Sequence, residues 1–254
     1  ARLFASNAEN DSEADRFSIS GVMGPDEFHD GYPEAPGEGL RDNTYTNVLA
    51  SWTLMRAADV FAVLDPHDAV MLRDRLAITD TEMERWEHIS RRLRVSFHAD
   101  GIISQFDGYE DLKEFPWEEF KQRYDDLGRL DLILASEGDS PNNYQVSKQA
   151  DLLMLFYLFS TEEVRILFAR LGYDLDQETI ERTVDFYLQH SSDGSSLSQL
   201  VHARVMAESD PARSWEFFEE SLQADLSDST GSSTEEGIHI GAMAGSADII
   251  LRSY

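Results

Sequence analysis

Apolar residues recurring at three- and four-residue intervals constrain this chain more than any other feature. From Tyr45 they fall at Val48, Leu49, Trp52, Met55 and Val60, one face of a helix. The pattern returns over 79–94 with Met83, Trp86, Ile89 and Leu93, behind Thr79 and Glu82 at capping-box spacing. Residues 149–159 are almost wholly apolar after Asp151, as a buried helix would be. Ser160 and Glu163 form a second capping box, opening a helix to about Leu171. Asp176 can cap the next, which carries Ile180, Val184 and Tyr187. Asp210 and Pro211 supply an N-cap and a first-turn proline for a helix bearing Trp215, Phe218 and Leu222. The last helix is expected from near Thr234 and is rich in Gly and Ala. Strand patterns are few: 17–22 alternate briefly, 101–106 could be extended, and no two-residue hairpin signal joins them. The fold class is all-α, with about eight helices readable from the periodicity, paired across long loops.

Those loops (24–43, 99–147, 189–197 and 226–236) exceed usual connection lengths, and long loops in a compact domain are usually functional or disordered. No linker composition or internal repeat divides the chain, so residues 1–254 read as one domain. The start, Ala1-Arg2-Leu3-Phe4, has no initiator Met and no signal-peptide pattern. It reads as a helix entered partway along a longer protein. No apolar run reaches about 18 residues, so no spanning helix is expected. The absence of cysteine excludes disulfides, thiolate metal sites and a Cys nucleophile, and fits a cytoplasmic protein. The net charge of -28, from 49 acids against 21 bases, repels nucleic acid and anionic membranes. An anionic ligand would need a locally basic pocket, and lysine occurs only at 113, 121 and 148.

Four loops could carry chemistry. In Gly21-Val22-Met23-Gly24-Pro25-Asp26-Glu27-Phe28-His29-Asp30, Gly and Pro fix the backbone ahead of two carboxylates and an imidazole. A carboxylic general acid needs burial or a neighbouring negative charge to stay protonated near neutral pH. The same run also reads as a solvated acidic turn. In Val146-Ser147-Lys148-Gln149-Ala150-Asp151, a lysine and an amide abut the apolar helix, either aimed at an anion or facing solvent. His190-Ser191-Ser192-Asp193-Gly194-Ser195-Ser196-Leu197-Ser198 has the small hydroxyl residues and following helix of a phosphate cradle, or of an ordinary capped loop. In 231–242, His239 falls in the first turns of the last helix, where a histidine is structural or ligand-binding, and Gly237 and Gly241 allow close approach.

Together, the runs 21–29, Asp42–Val48, Gly108–Leu112, Lys148–Asp151, Ser195–Ser198 and Glu236–Gly245 resemble the catalytic domain of glycoside hydrolase family 65, in that family's order. The likeness covers nearly the whole chain. It implies an (α/α)6 barrel, here incomplete. The chain would be its C-terminal two-thirds, without the N-terminal β-sandwich and C-terminal β-sheet domains of full-length members. It implies Glu27 as general acid, with Lys148, Gln149, Ser195, Ser196 and His239 holding phosphate on the opposite face of the sugar. The implied reaction is inverting phosphorolysis of an α-glucosidic disaccharide to β-glucose 1-phosphate. Phosphate is a co-substrate, with no other cofactor and no metal.

Physical chemistry supports that division. Inverting cleavage by water needs a second carboxylate, whereas phosphate needs hydroxyls, amides and cations. Two alternatives stand beside it. One is an inverting α-glucoside hydrolase on the same scaffold, with Glu235 or Glu236 as base. The other is a non-catalytic carbohydrate-binding barrel. The partners expected are the disaccharide and phosphate, with a homodimer in the full-length protein and neither nucleic acid nor membrane. One departure stands out: residues 30–42 form a longer connection than in the better-known phosphorylases, beside the acceptor side.

Overall fold

The computed structural model describes residues 1–192, 197–223 and 238–253. Among them are twelve α-helices. The first six are α1 (Arg2–Asn7), α2 (Thr44–Val63), α3 (Pro66–Leu76), α4 (Asp80–Ser90), α5 (Trp117–Arg123) and α6 (Leu130–Ser136). The rest are α7 (Asp151–Leu158), α8 (Thr161–Arg170), α9 (Gln177–Gln189), α10 (Ser198–Met206), α11 (Pro211–Ser221) and α12 (Ile240–Ser253). Sheet among the described residues is confined to short pairs: β1 (Glu9–Asp11) antiparallel to β2 (Arg16–Ser18), and β3 (Lys113–Glu114) parallel to β4 (Tyr144–Gln145).

The helix starts follow their caps. Asn43 accepts from Thr46 N at the head of α2. Ser160 and Glu163 close the expected capping box of α8 in both directions. Asp176 and Asp210 cap α9 and α11, the latter with its first-turn proline. At α4 only half the expected box forms: Thr79 accepts from Glu82 N, while the Glu82 carboxylate turns to Arg2 at 2.6 Å. An arginine is the stronger partner for a carboxylate than a lone backbone amide. The expected start of the last helix, near Thr234, lies outside the described residues.

Three expectations are corrected. The count of about eight helices is too low, because α3, α5 and α6 carry no long apolar stripe. The stretch 99–147, read as a long loop, carries α5, α6 and the β3–β4 pair. Of the extended stretches, 17–22 is strand only at its start, and 101–106 contributes a single bridge, Phe97 to Ile103.

Helices α2, α7, α10 and α12 pack against one another in succession. α4 lies against α2, α8 against α2 and α7, α9 against α7, and α11 against α10. Val48, Leu54, Trp86, Ile89, Leu152, Leu155, Phe168 and Tyr187 meet in the main core. Each fully buried side chain of this size contributes about 1.5–3 kcal/mol. Leu200, Ala203, Phe218, Ala242 and Ile249 form a second core under α12. A third joins Phe115, Phe120, Leu130 and Leu134, from and beside α5 and α6, to Phe28 and Val146. Among the described residues no helix is long and apolar enough to cross a membrane.

Candidate active site

The packing order of α2, α7, α10 and α12 explains why the four candidate loops belong together. Glu27 lies in the segment that leads to α2, Lys148 and Gln149 in that leading to α7, and His239 immediately before α12. Ser195 and Ser196 precede α10 in sequence but lie outside the described residues, as do Asp193, Glu235 and Glu236. The described segments carrying Glu27, Lys148 and His239 therefore each lead into one of these mutually packed helices.

The segment carrying Glu27 is closed at its base. Val22 and Leu40 exchange backbone hydrogen bonds of 3.2 and 2.7 Å. Gly39, at φ 79°, lies so close to Gly21 that an added Cβ would come within 2.5 Å of its carbonyl carbon. Above this base the chain turns through Gly24 and Pro25 into Asp26 and Glu27.

Asp26 is buried, at 2% exposure. Its Oδ1 accepts from Lys148 N at 2.9 Å and Phe28 N at 3.4 Å. Its Oδ2 meets Gln105 Nε2 at 3.1 Å and His29 Nδ1 at 3.0 Å. The other ring nitrogen of His29 lies 3.0 Å from the Tyr144 carbonyl. The His29 ring thus bridges the Asp26 carboxylate and the Tyr144 backbone.

Asp151, 1% exposed, is the second buried acid. It accepts from Asp26 N at 2.7 Å and from Asn43 Nδ2 at 2.5 Å. Burial and then the Asp26 charge push its carboxyl up to about 7, against the hydrogen bonds from Asn43 and Asp26 N and the charge of His29. Gly24 is pressed onto it: an added Cβ would sit 1.8 Å from Asp151 Oδ2. Asn43 thus caps α2 and holds the first residue of α7 with the same side chain.

Glu27 is placed differently. Its side chain is 70% exposed, and its Oε2 receives Lys148 Nζ at 2.5 Å. Gln149 lies behind it, donating to Pro25 O at 3.4 Å. The Lys148 carbonyl accepts from Ser191 Oγ at 3.3 Å and Ser198 Oγ at 3.2 Å. Ser147 N donates to His190 O, and Ser192 N to Ser147 O. The described flanks of the serine loop are therefore fastened to Lys148 on both sides. At the head of α12, Gly241 faces the Leu197 side chain and Gly245 faces Leu200, which sets His239 beside the start of α10.

The structure brings Glu27, Lys148 and Gln149 together, and it places His239 immediately before α12, the helix next to α10, rather than within its first turns. Sequence reading assigned no role to Asp26, His29, Asn43, Gln105 or Asp151. The one local signal was an aspartate opening an otherwise apolar helix. The burial expected around the general acid surrounds Asp26 and Asp151 instead. A cavity of about 660 Å³ bounded by Phe156, Ile180 and Arg204 lies at the C-terminal ends of α7 and α10, away from these residues.

The central catalytic domain of glycosyl hydrolase family 65 matches residues 1–248. An uncharacterized glycosyl hydrolase of Mycobacterium tuberculosis strain H37Rv is 47% identical over the full 254 residues, which cover 19% of that protein. A trehalose 6-phosphate phosphorylase of Lactococcus lactis is 32% identical over 240 residues, 94% of this chain and 30% of the relative. A solved structure provisionally assigned as a kojibiose phosphorylase from the human microbiome superposes with a TM-score of 0.77 at 21% identity, covering 99% of this chain and 32% of that one. The chain thus spans between a fifth and a third of the length of these proteins.

Proposed function

The chain belongs to glycosyl hydrolase family 65, and on that premise we propose that it carries the acid and phosphate side of an inverting α-glucoside phosphorylase. The observation that bears this reading is the contact of Lys148 Nζ with Glu27 Oε2 at 2.5 Å, made across 121 positions of sequence. On this reading the contact joins the residue proposed as proton donor to the one proposed to bind phosphate. We read α2, α7, α10 and α12 as successive inner helices of an (α/α)6 barrel.

In the proposed reaction a phosphate oxygen attacks C1 from the face opposite the leaving oxygen. The C1–O bond breaks as Glu27 passes its proton to that oxygen, which departs as a sugar hydroxyl. Inversion at C1 gives β-glucose 1-phosphate. Lys148, Gln149, Ser195, Ser196 and His239 hold the phosphate. Phosphate and Glu27 would then share the Lys148 ammonium as a partner.

The names of relatives include both phosphorylases and glycosyl hydrolases, and for the former both a phosphorylated disaccharide and kojibiose. The hydrolytic alternative requires a base, for which Glu235 and Glu236 remain the candidates. The discriminating experiment uses full-length protein with α-linked disaccharides, with and without phosphate. Phosphorolysis predicts β-glucose 1-phosphate and a strict need for phosphate. Glucose release indifferent to phosphate would overturn it.

A further inference from the structure

Gln105 lies inside the buried network and has no role in the reaction proposed above. Its side chain is fully buried. Its Nε2 donates to Asp26 Oδ2 at 3.1 Å, and its Oε1 accepts from Asp151 N at 3.2 Å. Its backbone carbonyl accepts from Thr44 N at 2.9 Å, where α2 begins. One residue therefore holds the segment carrying Glu27 and the starts of both α2 and α7.

The two side-chain contacts need a donor and an acceptor side by side. The Asp151 amide can only donate, the Asp26 carboxylate accepts, and a carboxamide supplies both partners in one plane. Asp151 N is also a first-turn helix amide, which has no partner within its own helix. The N-cap of α7 is Ala150, whose side chain cannot cap. Gln105 provides the missing acceptor from 46 positions away. A glutamate in its place would set a third carboxylate against Asp26 and Asp151.

The backbone around Gln105 is itself pinned. From α9, the Tyr187 hydroxyl donates to Ile103 O at 2.9 Å, and Thr183 Oγ1 accepts from Ile103 N at 3.2 Å. From α2, Thr44 Oγ1 donates to Ser104 O at 2.6 Å. The carboxamide is thus a fixed point between two helices. Two short routes lead from it to the Glu27–Lys148 contact. One passes through Asp26, whose Oδ1 accepts from Lys148 N at 2.9 Å and whose next residue is Glu27. The other passes through Asp151, which lies on the same short segment as Lys148. We propose that Gln105 is a positioning residue for the cleavage, fixing the separation of Glu27 and Lys148 without touching substrate. The proposal rests on the acid and phosphate roles given above to those two residues.

The test uses full-length protein and the α-linked disaccharides of the preceding experiment, reading glucose and β-glucose 1-phosphate together. Gln105→Met keeps the length of the side chain and removes both hydrogen bonds. Its kcat should fall by about 10- to 100-fold, the cost of a misplaced catalytic pair. The KM for phosphate should rise by about tenfold while that for the disaccharide stays within about threefold, since Gln105 does not meet the sugar. Calorimetric titration of inorganic phosphate should show the same weakening without turnover. Ser51→Ala, which loses a buried hydrogen bond to Ser90 O farther along α2, should leave kcat within about twofold. An unchanged kcat and phosphate affinity in Gln105→Met, or an equal loss in Ser51→Ala, overturns the proposal.

Gln105→Glu adds a rescue. Ionised, it cannot donate to Asp26; protonated, it offers an O–H to Asp26 and a carbonyl to Asp151 N. The titratable groups around it are Asp26, Asp151, His29, Tyr109 and Tyr187. They are shared with Gln105→Met, which therefore serves as the control for their own titration. Relative to wild type, Gln105→Glu turnover should recover by about fivefold or more between about pH 8 and about pH 5, while the Gln105→Met ratio stays flat. If Gln105→Met fails to fold, this recovery decides, and a flat ratio overturns the proposal. Turnover that ignores phosphate yet falls in Gln105→Met sinks phosphorolysis and leaves the positioning of Glu27 standing. Phosphate-dependent turnover untouched by the substitution means the reverse.

Discussion

Asp26 and Glu27 share a peptide bond, yet one belongs to the core and the other to the surface. Asp26 is 2% exposed, and its carboxylate gathers the Lys148 amide, Gln105 and His29. The Glu27 side chain is 70% exposed and meets the Lys148 ammonium. The same lysine thus touches both acids, with its backbone on the buried one and its side chain on the exposed one. A buried carboxylate without partners costs several kcal/mol, and Asp26 sits inside a network that supplies them. An exposed carboxylate is free to exchange a proton with substrate. On the proposed function, the adjacent pair divides positioning from chemistry.

The largest effect that can test this division is on turnover. Glu27→Gln in the full-length protein should lower kcat by about 100- to 10,000-fold, the usual contribution of a general acid. Its melting temperature should barely move, because substitutions at exposed positions cost about 0.5 kcal/mol or less. A Glu27→Gln protein that melts early would make Glu27 structural and erase the contrast. Asp151→Ala should do the reverse. It orphans Asn43 Nδ2 and Asp26 N, two buried donors, at about 1–3 kcal/mol each. Chemical denaturation should show that loss at pH 6. Activity should fall only as far as the Glu27 loop loosens.

Gly24→Ala ranks next. The added methyl carbon would lie 1.8 Å from Asp151 Oδ2, so the carboxylate must move off Asp26 N. Overpacking of this kind costs about 1–3 kcal/mol. The informative readout is the split between KM for phosphate and kcat. A displaced Asp151 drags Asp26, and with it the Lys148 amide, so both parameters should worsen. A change confined to melting temperature would show that the buried network does not position the site.

The two sides of the loop also differ in how far the sequence revealed them. α2 was readable because Asn43 caps it and Val48, Leu54 and their neighbours mark its buried face. α3 has no buried residue at all, and α5 and α6 have seven residues each, too few turns to establish a period. Glu27 and Lys148 emerged only through family-like runs, since 121 positions separate them. The Asp26–Asp151 and Asn43–Asp151 contacts span 125 and 108 positions. No local rule links such partners, and a buried aspartate at a helix start looks in sequence like an ordinary first-turn acid. Ser195 and Ser196, central to the phosphate proposal, lie outside the described residues, while Ser191 and Ser198 on either side donate to the Lys148 carbonyl.

The smallest effect is the pH dependence of stability, and it addresses the buried side alone. Burial, reinforced by Asp26, raises the Asp151 carboxyl from 3.8 to about 7 in the folded protein. Between these values the folded state binds more protons than the unfolded state, so this group makes stability fall as pH rises from about 4 to 7. The groups facing it are Asp26, which opposes its ionisation, and His29, which favours it. Asp151→Asn keeps the shape and an acceptor for Asp26 N but cannot ionise. Calorimetry of full-length protein across this window should show the wild-type melting temperature declining by a few degrees more than that of the variant, at about 2–4 °C per kcal/mol for a chain segment of this size. The variant should be the more stable of the two above pH 7. Parallel curves would mean that Asp151 carries its charge throughout. The division between the two neighbouring acids would then need redrawing.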